Sequence, residues 1–224
     1  MTTAGPATPG GAQQRANATN MRRPRSSERR EQIVEATLDL VARYGVPGTT
    51  LTRVASAIGV TTPALYAHFP NRKAIFQAAI DRLIQRRTAA HRLVAEGTAL
   101  ERLREIGHGH SELVASDDKS VLALFEFIAA APEEGLRETL GNGILGLVDE
   151  LAKIVRQGQE EGSMIREVDP QQVAWMIVSR AWTEDIAQLT GISHTWNVER
   201  SNRMLELILT SIAAPDGRAT PRPE

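Results

Sequence analysis

The residue sets that could carry covalent or metal chemistry fail one by one. Ser116-Asp117-Asp118-Lys119 has the S-x-x-K spacing, but the serine-aspartate-asparagine and lysine-threonine-glycine motifs that accompany it are missing, and the aspartates read better as a helix cap. His108 and His110 stand two apart, so they do not share a helix face, and no cysteine or carboxylate lies at a matching spacing. There is no glycine-rich phosphate loop, no H-E-x-x-H pair and no ordered Ser/His/Asp set. No catalytic residue, metal or cofactor is assigned, and an enzyme is not expected. What remains is recognition chemistry, concentrated between Thr49 and Lys73.

That stretch reads as two short helices around a glycine turn. Thr50 is the expected cap of the first, its hydroxyl accepting from a free backbone N–H. Val54, Ala55 and Ile58 recur at helical spacing, and Gly59 ends the helix where a residue without Cβ turns at low cost. Thr62 and Pro63 open the second helix, with Thr62 as cap. It ends near His68 and Phe69, before Pro70-Asn71. This layout is that of a DNA-reading helix-turn-helix. Thr61 and Thr62 offer methyls to thymine and hydroxyls to either partner, and Ala64 is small enough for close approach to a groove floor. Tyr66 and His68 project from the same short helix, and Lys73 adds a point charge for the phosphate backbone, as Thr52 and Arg53 do from the preceding helix. His68 reads equally well as a buried hydrogen-bonding residue.

Thr50-x-x-Arg53-Val54-Ala55-x-x-Ile58-Gly59-Val60, then Leu65-Tyr66-Ala67-His68-Phe69 and Lys73, resembles the signature of the tetracycline-repressor-like (TetR) family. The resemblance covers roughly residues 30 to 80, and the rest agrees in length and helix pattern. It implies a homodimer grasping palindromic double-stranded DNA, a phosphate contact from Tyr66, and a small-molecule effector in the helical half. Thr52 departs from relatives that carry a base-reading arginine there.

Elements must hold these residues in place. A first helix from about Glu28 to Tyr44, capped by Ser27, carries Ile33, Ala36, Thr37, Leu40 and Tyr44 on one stripe; Gly45 and Pro47 end it. Asn71 caps a helix running to Gly97, roughly 35–40 Å at 1.5 Å per residue, long enough to tie two halves together. Beyond it all is helix: Leu100 to Ala115, interrupted at Gly107-His108-Gly109-His110; Lys119 to Ala130; Glu133 to Glu161; 170 to 190; and Asn197 to Ala213. Gly141, Gly143 and Gly146 weaken their helix and so suit close approach by a neighbour or ligand.

Composition sets the outer bounds. Net charge is −1, yet the 92 residues through Arg92 hold 14 Lys/Arg against 5 Asp/Glu, while the remainder holds 12 against 22. That asymmetry suits one half facing nucleic acid. Cysteine is absent, which excludes disulfides and thiolate metal sites and suits a cytoplasmic protein. No run of about 18 apolar residues and no leader pattern is present, so no membrane partner is expected. Residues 1–26 lack large apolar side chains and read as a disordered basic arm with Arg15, Arg22, Arg23 and Arg25; Met21 is an alternative start.

The expected fold is all-α: a three-helix helix-turn-helix DNA-binding domain over 27–70, a helical effector-binding and dimerisation bundle over 71–214, and a disordered tail over 215–224. The last two long helices are apolar around more than one face, which calls for a second burial surface. Met204, Leu205, Ile208 and Ile212 are assigned to a dimer interface, and Phe125, Phe127, Trp175, Met176 and Trp182 to an apolar effector pocket. The expected function is a dimeric repressor released from its operator by a small hydrophobic ligand. The alternative is a ligand-independent helix-turn-helix protein, activating or architectural.

Overall fold

Helix α1, Ser26–Gly48, buries Ile33, Val34, Thr37, Leu38 and Val41, a stripe at helical spacing. Thr37 tolerates full burial because its hydroxyl donates to Ile33 O at 2.7 Å. The stripe is rotated from the expected one: Ala36 and Leu40 are half-buried and Tyr44 is exposed. Gly45 breaks the helix with φ +69°, a conformation costly for residues with a Cβ. The computed structural model describes residues 26–89, 96–116 and 118–215; all but the last residue of the expected basic arm and all but the first residue of the expected tail lie outside them.

Local chemistry starts and stops most of the elements. Helix α2 spans Leu51–Ala57, with the Thr50 hydroxyl accepting from Arg53 N, and Gly59 follows at φ +69°. Helix α3 spans Thr62–Tyr66; its cap position is Thr61, not Thr62, and the Thr61 side chain makes no capping hydrogen bond. Helix α4 spans Arg72–Arg87, capped by Asn71 accepting from Ala74 N at 2.9 Å. It ends at Thr88, short of the expected Gly97; residues 90–95 lie outside the described residues.

Helix α5, Ala99–Ser116, opens with a reciprocal cap: Thr98 N donates to Glu101 Oε2 at 2.8 Å, and Glu101 N to Thr98 Oγ1 at 3.3 Å. The bond from Thr98 N, with a second from Thr98 Oγ1 at 2.9 Å, holds the Glu101 carboxyl below its ordinary value. The helix runs unbroken through Gly107-His108-Gly109-His110, contrary to the expected interruption. The reason is tertiary: a Cβ on Gly107 would stand 2.4 Å from Leu205 Cδ2, so the glycine lets a neighbouring helix close in. Then follow α6 (Asp118–Glu134), α7 (Arg137–Glu161, closed by Gly162), α8 (Pro170–Leu189, capped by Asp169) and α9 (Val198–Ile212, capped by Asn197). No strand occurs among the described residues, only an isolated bridge between Met164 and Ala213.

Two apolar clusters form. The first joins α1 to α4 with α6 and the start of α7, and includes Phe76 edge-on to Phe127 at 6.2 Å. The second joins α5, α7, α8 and α9. Helix α6 thus completes the core beneath the short N-terminal helices, and Gly143 lets Ile84 of α4 press onto α7.

Candidate nucleic-acid interface and effector cavity

Three arginines fasten the two short helices to the scaffold. Arg30 donates to His68 O at 2.8 Å and lies 3.9 Å over the Phe69 ring. Arg29 reaches Ile58 O at 3.4 Å. Arg72, at the start of α4, donates to Val46 O at 2.8 Å and Thr49 O at 3.3 Å while stacking on Phe76. With Leu65 and Phe69 fully buried beneath, α3 has a fixed orientation. It presents Thr61 and Tyr66 outward, with Thr62 and Ala64 half-buried beside them. Tyr66 is 50 % exposed and makes no hydrogen bond among the described residues.

The remaining predicted residues divide by what already holds them. Thr52 and Lys73 are exposed. Arg53 is engaged locally, donating to Gly48 O at 2.7 Å and stacking 4.6 Å over Tyr44, and the Thr50 hydroxyl is used as a cap. His68 is half-buried, with Nδ1 3.5 Å from Ser26 Oγ.

In the helical half, a chamber of about 490 Å³ lies between α6, α7 and α8. Leu124, Phe125, Ile128, Leu140, Gly141 and Ile144 line it, with Trp182 and Ile186 on the α8 side and Arg137 as its charged member. Two smaller chambers of about 50 Å³ each adjoin it by shared walls. The middle one shares Leu124, Ile128, Leu140, Ile144 and Trp182 with the large one. The innermost shares Arg87, Leu147 and Trp182 with the middle one, and adds His110, Ala181 and Arg180.

Charged groups lie buried behind these apolar walls. Arg87 Nη2 donates to Asp185 Oδ2 at 2.5 Å. Arg180 Nη1 donates to Glu184 Oε1 at 2.9 Å and Ser201 Oγ at 2.6 Å, and its Nη2 to Gly107 O at 3.0 Å. Ser111 donates to Glu184, and His110 Nε2 lies 3.4 Å from Glu184 Oε2. Burial pushes the Arg180 pKa down against the pull of Glu184, and pushes the Asp185 carboxyl up against the pull of Arg87.

Residues 33–79 match the family described as bacterial regulatory proteins, tetR family. A transcriptional regulator of that family from Rhodococcus sp. superposes with a TM-score of 0.65 at 28 % identity, over 83 % of this chain and 96 % of that one. The chain belongs to the TetR family. It is accordingly a DNA-binding transcriptional regulator rather than an enzyme. The nicotine-responsive transcriptional repressor HdnoR of Paenarthrobacter nicotinovorans is 30 % identical over 103 residues, 44 % of this chain and 52 % of that protein, so that match spans about half the relative's length. The regulator RutR of Escherichia coli is 28 % identical over 154 residues, 67 % of this chain and 71 % of RutR. SmeT, a multidrug-efflux repressor of Stenotrophomonas maltophilia, shares the fold at 18 % identity, with a TM-score of 0.69 over 87 % of this chain and 96 % of SmeT.

Within this TetR-family chain the expected pocket and interface residues are partly redistributed. Phe125 and Trp182 line the large chamber. Phe127 does not: it is fully buried against Phe76, because α6 turns that face to the N-terminal core. Trp175 and Met176 lie on the outer face of α8, 39 % and 41 % exposed, and touch none of the three chambers. Leu205, Ile208 and Ile212 are corrected more sharply, being buried in the protomer's own core with α5 and α7 and offering no surface to a partner. Met204, 43 % exposed, stays outside, beside Leu207 at 68 %. Arg87, His110, Arg137 and Arg180 were missed as cavity residues. For Arg180 a signal was available: Arg180, Glu184 and Asp185 are the charged residues of an otherwise uncharged helix and call for pairing where they are buried.

Proposed function

We propose that this chain is a homodimeric repressor that binds a palindromic operator and leaves it when a small hydrophobic effector occupies the helical half. The observation that carries the reading is the pose of α3: Leu65 and Phe69 anchor it while Thr61, Thr62, Ala64 and Tyr66 are turned away from the core. Residues 27–70 serve as the reading head, with Thr52 and Lys73 as flanking phosphate contacts. His68 and Thr50 act by shaping the head, and Arg53 by stiffening its edge against Tyr44.

The dimer contact forms on the outward stripes of the last two helices. On α8 these are Trp175, Met176, Trp182 and Ile186; on α9, Met204 and Leu207. Trp175, Trp182 and Ile186 stand seven and four apart, and Met204 and Leu207 three apart, which places each set on one side of its helix with Met176 next to Trp175; apolar surface of that extent seeks a partner. Two heads held about 34 Å apart then match successive major-groove faces. The effector enters the chamber between α6, α7 and α8, which is lined by Trp182 and Ile186 of the same stripe. A ligand-responsive relative, HdnoR, favours this reading over a ligand-independent one.

The test is binding of a fluorescent duplex from the chain's own upstream region and of a random duplex. Tyr66→Phe weakens both alike, by about 1.5–3 kcal/mol for a lost hydrogen bond to a charged group. Thr62→Ala alters base preference instead. A Tyr66→Phe protein with unchanged affinity for both duplexes would remove the phosphate role.

A further inference from the structure

We propose that the effector is an amphipathic carboxylic acid, its apolar body in the large chamber and its carboxylate on the inward nitrogen of Arg87. The inference rests on the effector-cavity reading above and adds the ligand's chemical class and the group that recognises it.

Three observations carry it. First, among the described residues no Asp or Glu lines any of the three adjoining chambers, whereas Arg137 lines the large one and Arg87, His110 and Arg180 the innermost. The large chamber otherwise holds aliphatic and aromatic side chains, so its surface is mostly apolar, and further arginines line the smaller chambers beside it. Second, the Arg87 side chain is 10 % exposed, and only its Nη2 is used, on Asp185. Among the described residues its Nη1 is buried without a hydrogen-bond partner, and so are Arg180 Nε and, on the acceptor side, Asp185 Oδ1 and Glu184 Oε2. Buried N–H groups on a guanidinium are almost always satisfied, so an unused one beside a cavity calls for an acceptor. Third, the inner chambers are small, about 50 Å³ each, which suits a planar carboxylate on one nitrogen better than a bulkier, more highly charged head needing several donors.

The position of Arg87 gives the acid a route to the reading head. Arg87 is the last residue of α4, and Arg72, the first, holds the Val46 and Thr49 carbonyls at the turn before α2. Among the described residues Arg87 is tied to α8 through Asp185. A carboxylate on Nη1 supplies a second acceptor, bearing on the end of α4 remote from DNA.

The experiment compares decanoate, 1-decanol and decylamine, one tail with three heads, by calorimetric titration of the full-length protein. Decanoate is expected to bind at least about tenfold tighter than decanol, and decylamine no better than decanol. Arg87→Gln combined with Asp185→Asn removes both charges of the pair; it should erase the acid's advantage and leave decanol within about threefold of its wild-type affinity. Arg87→Lys keeps the charge without the fork and should retain part of the advantage. Decanol equalling decanoate on the wild type overturns the inference, whether or not any variant folds. So does a double variant that keeps the full preference. In either case, binding by all three that is blocked by Gly141→Leu leaves the effector-cavity reading standing, whereas binding by none removes both.

Discussion

Gly107→Ala isolates the contact that lets α5 run straight through a glycine-histidine repeat. An added Cβ would lie 2.4 Å from Leu205 Cδ2 and 3.2 Å from both Leu205 Cδ1 and Arg180 Nη2. Leu205 is fully buried and cannot swing into solvent. Overpacking of this kind costs about 1–3 kcal/mol. Alanine returns about 1 kcal/mol of helix propensity, so the net effect is a loss of about 0–2 kcal/mol. That range alone decides little, and a second background supplies the contrast. Leu205→Ala by itself should cost about 2–5 kcal/mol. Added to it, Gly107→Ala places a methyl in vacated space and gains about 1–2 kcal/mol from propensity and burial. The same substitution thus changes sign, with a coupling of about 2 kcal/mol, inside the range for touching residues. Urea unfolding followed by circular dichroism, at fixed protein concentration so that association does not distort the comparison, measures all four proteins. If Gly107→Ala stabilises both backgrounds equally, as at an open helix surface, the close-packing account is refuted.

Other outcomes follow from the same structure. Gly141→Leu meets nothing within 4 Å at Cβ and points into the large chamber. It should raise stability by roughly 1 kcal/mol through helix propensity while abolishing effector response, read by unfolding and by operator release. Trp175→Arg with Leu207→Arg should leave the protomer folded but monomeric in sedimentation, because both side chains are outside the core; an intact dimer would place the interface elsewhere. The Arg104 hydrogen bond holds the Glu206 carboxyl below its ordinary value. A depressed carboxyl contributes stability above its unfolded pKa and loses it as pH falls through the folded one. Both side chains are more than one-third exposed, so Glu206→Gln should cost under about 1 kcal/mol at neutral pH, and nothing once the carboxyl is protonated in acid.

Where the controlling chemistry is local, the sequence was sufficient. Thr50 and Asn71 cap the helices expected of them, Asp169 and Asn197 cap two more in the same way, and Gly59 and Gly162 end theirs in the left-handed region. The helix-turn-helix was legible for the same reason, its signals lying within a few residues of one another. The cavity and interface were less so because α8 and α9 are apolar on several sides. Periodicity offered no reason to place Leu205 and Ile208 inward and Met204 and Leu207 outward. Phe127 was misplaced because its partner, Phe76, lies on another helix 51 residues earlier. The glycine-histidine repeat failed on the same ground: intrinsic propensity predicts a broken helix, and packing against Leu205 overrides it. Arg87 became a candidate only when Asp185 and a neighbouring chamber stood beside it.

The central claim is that the outward face of α3, presented twice by a dimer, reads one DNA sequence. Fluorescence anisotropy against the chain's own upstream duplex and a scrambled duplex, repeated from low to physiological salt, tests it most directly. The account predicts affinity that falls steeply with salt for both duplexes, while the upstream duplex keeps an advantage of about a thousandfold or more. Equal affinity for the two duplexes at every salt concentration, or no binding to either, would contradict it.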